Sequence, residues 1–270
     1  MSEVSNEVQS ISDLKIPAVM LFGIPSQKDE KGTSAFVEQG IVQKAISEIK
    51  SNFDDKIVIM ADVCLCQYTS SGHCGIINDK KIDNDLSIET LTKIAVSQAK
   101  AGVDVVSPSA MMDGQVSAIR SGLDDAGFKD VIIMSHSAKH SSSFYSPFRD
   151  AAECAPQFGD RKTYQVPFTN PVEAMREVEA DIEEGVDIVM IKPALSYLDL
   201  IAEAKKKFNV PVSAYSVSGE YAMIKAAANQ GWIKEDQIIN EILHSIKRAG
   251  ADFIVTYFAK SGARLIHDSS

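Results

Sequence analysis

Three junctions in this chain repeat one another: Ala101-Gly102-Val103-Asp104, Glu184-Gly185-Val186-Asp187 and Ala249-Gly250-Ala251-Asp252. Each closes a stretch of helical spacing, sets Gly just past its end and opens a short β-branched run, the sign of a helix giving way to a strand. Runs of this kind recur at 16–22, 57–62, 103–107, 131–134, 187–191, 210–214 and 253–257, seven in all, with helix-forming segments between them. Such alternation predicts parallel βαβ units. No Pro/Gly-rich linker interrupts them, so residues 1–270 are expected to form a single domain of α/β class. An open doubly wound sheet is the structural rival, but no Gly-x-Gly-x-x-Gly turn follows the first strand.

The chemistry falls in one kind of place. Asp62 closes the second run, Ser109 follows the third, Lys139 the fourth, Lys192 ends the fifth, Ser218 follows the sixth and Tyr257 ends the seventh. Reactive side chains at the C-terminal ends of nearly every strand are what a (β/α)8 barrel needs, because those ends surround one mouth. The expected fold is therefore a TIM barrel whose first strand is missing, since the runs are one short of eight and the chain opens on a helix at about 4–14.

The segment Asp62-Val-Cys64-Leu-Cys66 through Gly72-His73-Cys74-Gly75 sets three thiols and an imidazole on a loop directly after a strand. Cys64, Cys66 and Cys74 suit a thiolate-rich Zn²⁺ site, and three ligands leave a tetrahedral ion the open position of a catalytic metal. The alternative is three buried cysteines packing as small hydrophobes. His73 reads as a neighbour or lid of such a site, and Cys154, without a motif, as inert.

Lys192 ends an apolar strand in Val189-Met-Ile-Lys192-Pro193, where an ordinary lysine is costly to bury, and Lys139 lies past another strand. Two lysines at one mouth depress each other's pKa and free a neutral amine, the form that attacks a ketone to give a Schiff base. Read separately, each would reach solvent or a carboxylate. The longest connection, about 135–170, is Ser-rich with interleaved aromatics and reads as an active-site lid. In it Arg149 and Arg161 could clamp a carboxylate, or form surface salt bridges. The remaining histidines show no catalytic spacing, and Glu177, Glu179 and Glu183 read most simply as a solvated helix face.

Charge narrows the partners. With 27 Lys+Arg against 37 Asp+Glu the net charge is −10, and no basic block offers phosphate contacts, so nucleic acid is not an expected partner. No apolar run approaches a membrane span, and the polar, acidic start does not read as a signal peptide, which predicts a cytoplasmic address. A small anion held by a few local cations is the expected substrate.

From about 14 to 259 the chain resembles the porphobilinogen synthases, or 5-aminolevulinate dehydratases, in the segments DVCLCQYTSSGHCG, VSPSAMMDGQV, SAKHSSSFYSPFRDAA, GDRKTYQ, MIKPALSYLD, YSVSGEYAMIKAA and SIKRAGADFIVTYFA. The resemblance implies a TIM-barrel lyase that condenses two 5-aminolevulinate molecules in tetrapyrrole (heme) biosynthesis. It implies Schiff bases on Lys192 for the first substrate and Lys139 for the second, with Asp62 and Ser109 assisting proton transfers. Ser218 and Tyr257 would hold the first carboxylate and Arg149 and Arg161 the second, with Gln165 also substrate-binding. Cys64, Cys66 and Cys74 match the zinc ligands of the zinc-dependent branch, and Glu177 a position that binds an allosteric Mg²⁺ in some members. Members form homo-oligomers, and usually carry a further N-terminal segment holding an arm and the first barrel strand. Two rival readings remain: an aldolase-like lyase, which gives the thiols no role, and a non-catalytic zinc-binding barrel or assembly partner.

Overall fold

The computed structural model describes residues 2–268. Strands β1 (Ala18–Leu21), β2 (Val58–Val63), β5 (Val105–Pro108), β6 (Ile132–Lys139), β7 (Ile188–Lys192), β8 (Val212–Ser216) and β9 (Phe253–Thr256) form one sheet in that order, every neighbouring pair parallel. This is the expected barrel of seven strands, curled and nearly closed. Among the described residues β1 and β9 do not pair with each other. Between them runs a cleft of about 680 Å³ whose walls include Ala18, Met20, Phe253 and Val255. A short antiparallel hairpin, β3 (Ile76–Asn78) and β4 (Lys81–Asp83), stands outside the barrel and was not foreseen, because three-residue strands leave too little alternation to detect.

Helices α1 (Ser2–Asp13), α2 (Ile41–Phe53), α3 (Asn84–Ala101), α4 (Gln115–Asp125), α5 (Ser146–Ala151), α6 (Pro171–Glu183), α7 (Leu198–Lys207), α8 (Ser218–Asn229), α9 (Glu235–Ala249) and α10 (Ala259–Asp268) occupy the connections. Asp83 and Asn170 cap α3 and α6 by accepting from Leu86 N and Glu173 N.

The repeated junctions have a second purpose besides stopping helices. Gly102, Gly185 and Gly250 take positive φ (100°, 95° and 124°), which lets the chain reverse at once. The Asp two residues later then clasps the adjacent strand at its start. Asp104, Asp187 and Asp252 accept from the backbone N–H of Ile59, Ile133 and Val212, each at 2.8 Å, while their own N–H groups donate to the carbonyls of those same residues. One short motif thus ends a helix, starts a strand and sets its register.

The core divides by strand alternation. Met60, Val105, Met134, Met190 and Tyr215 fill the barrel interior, and residues such as Ile59, Val106, Ile133, Val189 and Ala214 face the helices. In β6 the alternation breaks, since its register against β7 shifts between Ser135 and Ala138. That bulge carries the strand on to 139, so the connection thought to begin near 135 is shorter and contains α5.

Candidate active site

Because all seven strands run the same way, their C-terminal ends share one rim. Lys139 and Lys192 are the last residues of β6 and β7 and lie in register; Lys139, expected just past its strand, belongs to it because of the bulge. A cavity here is lined by Asp62, Cys66, Gln67, Ser109, Lys139, Lys192, Arg149, Arg161, Ser218 and Tyr257, and by Phe22, Tyr145 and Tyr215. It is narrow, about 30 Å³. Arg149 and Arg161 also line the adjoining cleft of about 670 Å³ that leads outward past Ser141–Phe144. The two guanidinium groups therefore stand between the approach and the lysines.

Both lysines are buried, at 6% and 8% exposure. Lys139 donates to the carbonyl of Ser109. Lys192 Nζ rests 4.0 Å from the centroid of the Tyr215 ring and 5.6 Å from that of Tyr145. Burial pulls its pKa down to about 7, the charge of Lys139 adds to the fall and Asp62 opposes it. An amine with that pKa is about half neutral at pH 7, against roughly one part in 3,000 for an ordinary lysine. Asp62, held by Gln67 at 3.1 Å, is shifted upward by desolvation, with Lys139 as the chief opposing influence. Lys139, Arg149, Arg161 and a half-protonated Lys192 against one carboxylate make this a cavity for anions in an acidic protein.

Cys64, Cys66 and Cys74 are fully buried, and their sulfurs all lie within 4.8 Å of one another, Cys64 and Cys66 at 3.5 Å. Donation from Cys64 and then Cys66 holds the Cys74 thiol well below its usual pKa, helped by Arg161 and Lys139. Three converging soft donors, one already favoured as thiolate, fit a thiophilic divalent ion. His73 is not in this group; its ring meets Tyr164 Oη at 3.1 Å and the Phe158 carbonyl at 3.0 Å, tying the cysteine loop to the lid.

Several positions differ from expectation. Cys154, read as inert, lies against Cys66 and raises that thiol by sharing a hydrogen bond with it, a contact made only when the lid folds over the loop. Neither arginine forms an ion pair among the described residues. Arg161 Nη2 donates to the carbonyls of Gly72 (2.9 Å) and Cys154 (2.6 Å), and Arg149 donates to Ser142, while both Nε atoms lack a partner. Gln165 does not line the lysine cavity: it lies in a separate cleft with Glu177, Tyr164 and His73. Glu177 is half-buried, not solvated, and burial together with Asp181 and Glu173 raises its carboxyl. Tyr215 and Gln67 are not among the expected site residues, and Tyr145 reads in the sequence only as one of the aromatics of the long connection; Tyr215 comes beside Lys192 because β8 pairs with β7 with Ala214 opposite Ile191.

Lid and cysteine loop touch so closely that one position has no room. At Gly72, φ is +69° and an added Cβ would lie 2.3 Å from the Ala155 carbonyl oxygen. Gly72→Ala is expected to cost about 2 kcal/mol or more, seen as a lowered midpoint in urea unfolding.

Comparison with known proteins gives the family. The family model described as delta-aminolevulinic acid dehydratase matches residues 1–265. The chain belongs to that family. The dehydratase of Halalkalibacterium halodurans is 55% identical over 268 residues, 99% of this chain and 81% of the relative; that of Bacillus subtilis is 55% identical over 97% and 80%. The chain thus spans about four-fifths of their length. Among solved structures, the Toxoplasma gondii delta-aminolevulinic acid dehydratase in complex with its product porphobilinogen is 43% identical, with a TM-score of 0.97 over all of this chain and 78% of that one. No described helix is long and apolar enough to cross a membrane.

Proposed function

We propose that this chain condenses two molecules of 5-aminolevulinate to porphobilinogen with loss of two waters. The observation that carries the reading is the Lys139–Lys192 pair, in register on adjacent strands and facing a cluster of three thiols, with the Lys192 amine brought near neutrality. Lys192 attacks the ketone of the first substrate, whose carboxylate Ser218 and Tyr257 receive. The Ser218 hydroxyl accepts from Phe148 N–H and donates to the Phe144 carbonyl at 3.3 Å, a long bond it would exchange for one to the carboxylate. Lys139 forms the second Schiff base, with Arg149 and Arg161 drawing the second carboxylate inward from the outer cleft. Each iminium withdraws electrons from the neighbouring carbon, which permits its deprotonation and C–C bond formation, while C–N bond formation closes the ring. Asp62, whose carboxyl burial shifts upward against the opposing pull of Lys139, and the Ser109 hydroxyl would pass protons beside Lys139.

Zn²⁺ is the ion these donors suit, held by Cys64, Cys66 and Cys74; when bound it supplies Lewis acidity beside the lysines. Mg²⁺ at Glu177 as a regulator, a homo-oligomeric assembly and a cytoplasmic address belong to the same reading, which has no place for nucleic acid or a membrane.

The test is incubation of the zinc-loaded protein with 5-aminolevulinate and borohydride, followed by peptide mass spectrometry. A reduced adduct on Lys192 or Lys139, with porphobilinogen formed when borohydride is omitted, is the expected result. A folded, zinc-loaded protein that gives neither adduct nor product removes the proposal and favours the non-catalytic barrel.

A further inference from the structure

Lys192 and Ser218 stand on adjacent connections at the rim. Lys192 ends β7, Ser218 opens α8 just past β8, the two strands pair in parallel, and both side chains line the lysine cavity. Glu220 joins the two connections. Its side chain is completely buried; Oε1 accepts from the N–H of Leu195, in the loop after Lys192, and Oε2 from the N–H of Val217, the residue before Ser218, both at 2.8 Å. A glutamate at the third position of a helix that accepts from the N–H just ahead of that helix is an ordinary cap. The bond to Leu195 is no part of a cap, since it reaches 25 residues back into the loop of another strand.

The parts on either side of this bridge are themselves held. The Lys192 carbonyl accepts from His140 N–H at 2.9 Å and from Tyr145 Oη at 3.2 Å, and the ring of Pro193 restricts the next φ. On the other side α8 presses on the lid, for a Cβ at Gly219 would lie 2.5 Å from the Phe144 carbonyl oxygen. Among the described residues Glu220 forms no ion pair, and burying a carboxyl without a cation is costly; burial raises its pKa, with the N–H groups of Leu195 and Val217 opposing the rise. Beyond Ile191 and Ala214, the last residues paired between β7 and β8, the Leu195–Glu220–Val217 bridge ties the Lys192 loop to the Ser218 turn.

In 5-aminolevulinate the ketone and the carboxylate are separated by two methylene groups. One molecule reaches both Lys192 and Ser218 without strain when their separation is held to that length. We propose that Glu220 is a positioning residue that sets this separation and so selects 4-oxo acids over longer oxo acids where the first substrate binds. That role rests on the reading of Lys192 and Ser218 as anchors for ketone and carboxylate. A carboxylate suits it because both oxygens accept, whereas Gln turns an NH2 toward one of the two N–H groups and Asp is one methylene short of spanning them.

The probes are 4-oxopentanoate and 5-oxohexanoate, which lack the amino group and so form a Schiff base without condensing. Each is titrated against the zinc-loaded protein in the presence of borohydride, and the reduced adduct on the Lys192 peptide is measured by mass spectrometry. The parent is expected to be half-labelled by the 4-oxo acid at a concentration about 10-fold lower than by the 5-oxo acid, as one surplus methylene costs in a fitted site. Glu220→Gln is expected to weaken the 4-oxo acid about fivefold and leave the 5-oxo acid within about twofold, whereas a merely structural role would weaken both alike. In a Ser218→Ala background the same change is expected to alter the 4-oxo acid less than about twofold, because the contact it positions is already gone. Glu220→Asp is expected to match the Gln variant and decides the matter should that variant fail to fold. The parent's preference retained in a folded variant, an equal weakening of both acids, or a full fivefold effect in the Ser218→Ala background overturns the proposal. A folded parent that traps neither acid on Lys192 removes the reading of Lys192 itself, and the role of Glu220 with it.

Discussion

Lys192→Met is expected to abolish porphobilinogen formation, by about 10⁴-fold or more, and to make the protein more stable. The first effect follows because no other side chain can form the covalent link at that position. The second follows from the amine's setting. Its folded pKa of about 7 stands well below the 10.5 of an ordinary lysine because it is buried beside Lys139. Folding therefore opposes its protonation. Between pH 7 and about 10 the unfolded chain binds a proton that the folded chain does not, so stability rises with pH across that window, and its loss is complete once pH falls below about 7. Methionine fills similar space without the penalty, for an expected gain on the order of 1–3 kcal/mol near pH 7. Urea unfolding at about pH 7 and pH 9 gives the check: the variant should be more stable at the lower pH and lack this contribution to the slope. A variant less stable than the parent at pH 7 would show that Lys192 is not held as a strained, dehydrated amine. The same shift predicts that activity falls on the acid side of neutrality, to be read from the pH profile of product formation.

Cys74→Ser is expected to empty the thiol site and to lower turnover about 10³-fold. Cys74 is the sulfur on which Cys64 and Cys66 converge as donors, so its loss removes the thiolate that would bind first. Serine keeps the size but is a poor ligand for a thiophilic ion. Metal analysis of the purified variant, beside product formation with and without added zinc, reads the outcome. Cys154→Ser, altering the thiol that touches Cys66 from the lid, should retain metal and keep activity within about threefold. Full metal content and activity in Cys74→Ser would sink the three-thiol reading.

Much of this arrangement was readable before folding because the relevant signals are local. In Gly-x-Asp after a helix the Gly ends the element through contacts within a few residues, although the strand its Asp clasps, at Ile59, Ile133 or Val212, is distant in sequence. The three thiols share a loop 11 residues long, from Cys64 to Cys74. Lys139 and Lys192 could be assigned to one rim because parallel strands leave their C-terminal ends side by side. Exact strand ends were less legible: the β6 bulge, which decides that Lys139 is in register with Lys192, has no mark in Ile132–Lys139.

The remaining differences all depend on contacts between segments distant in sequence. Cys154 reaches Cys66 because Arg161 bonds to the carbonyls of both Gly72 and Cys154. Gln165 and Glu177 fall into a cleft of their own because the lid passes over the rim before α6 begins. Sequence by itself determined the barrel, the lysine pair and the thiol loop, since periodicity, turn chemistry and donor type are properties of neighbouring residues. Only the tertiary structure decided which buried polar groups have partners, where the two arginines place their hydrogen bonds and that the Tyr215 ring lies against Lys192, because burial is set by everything packed around a side chain.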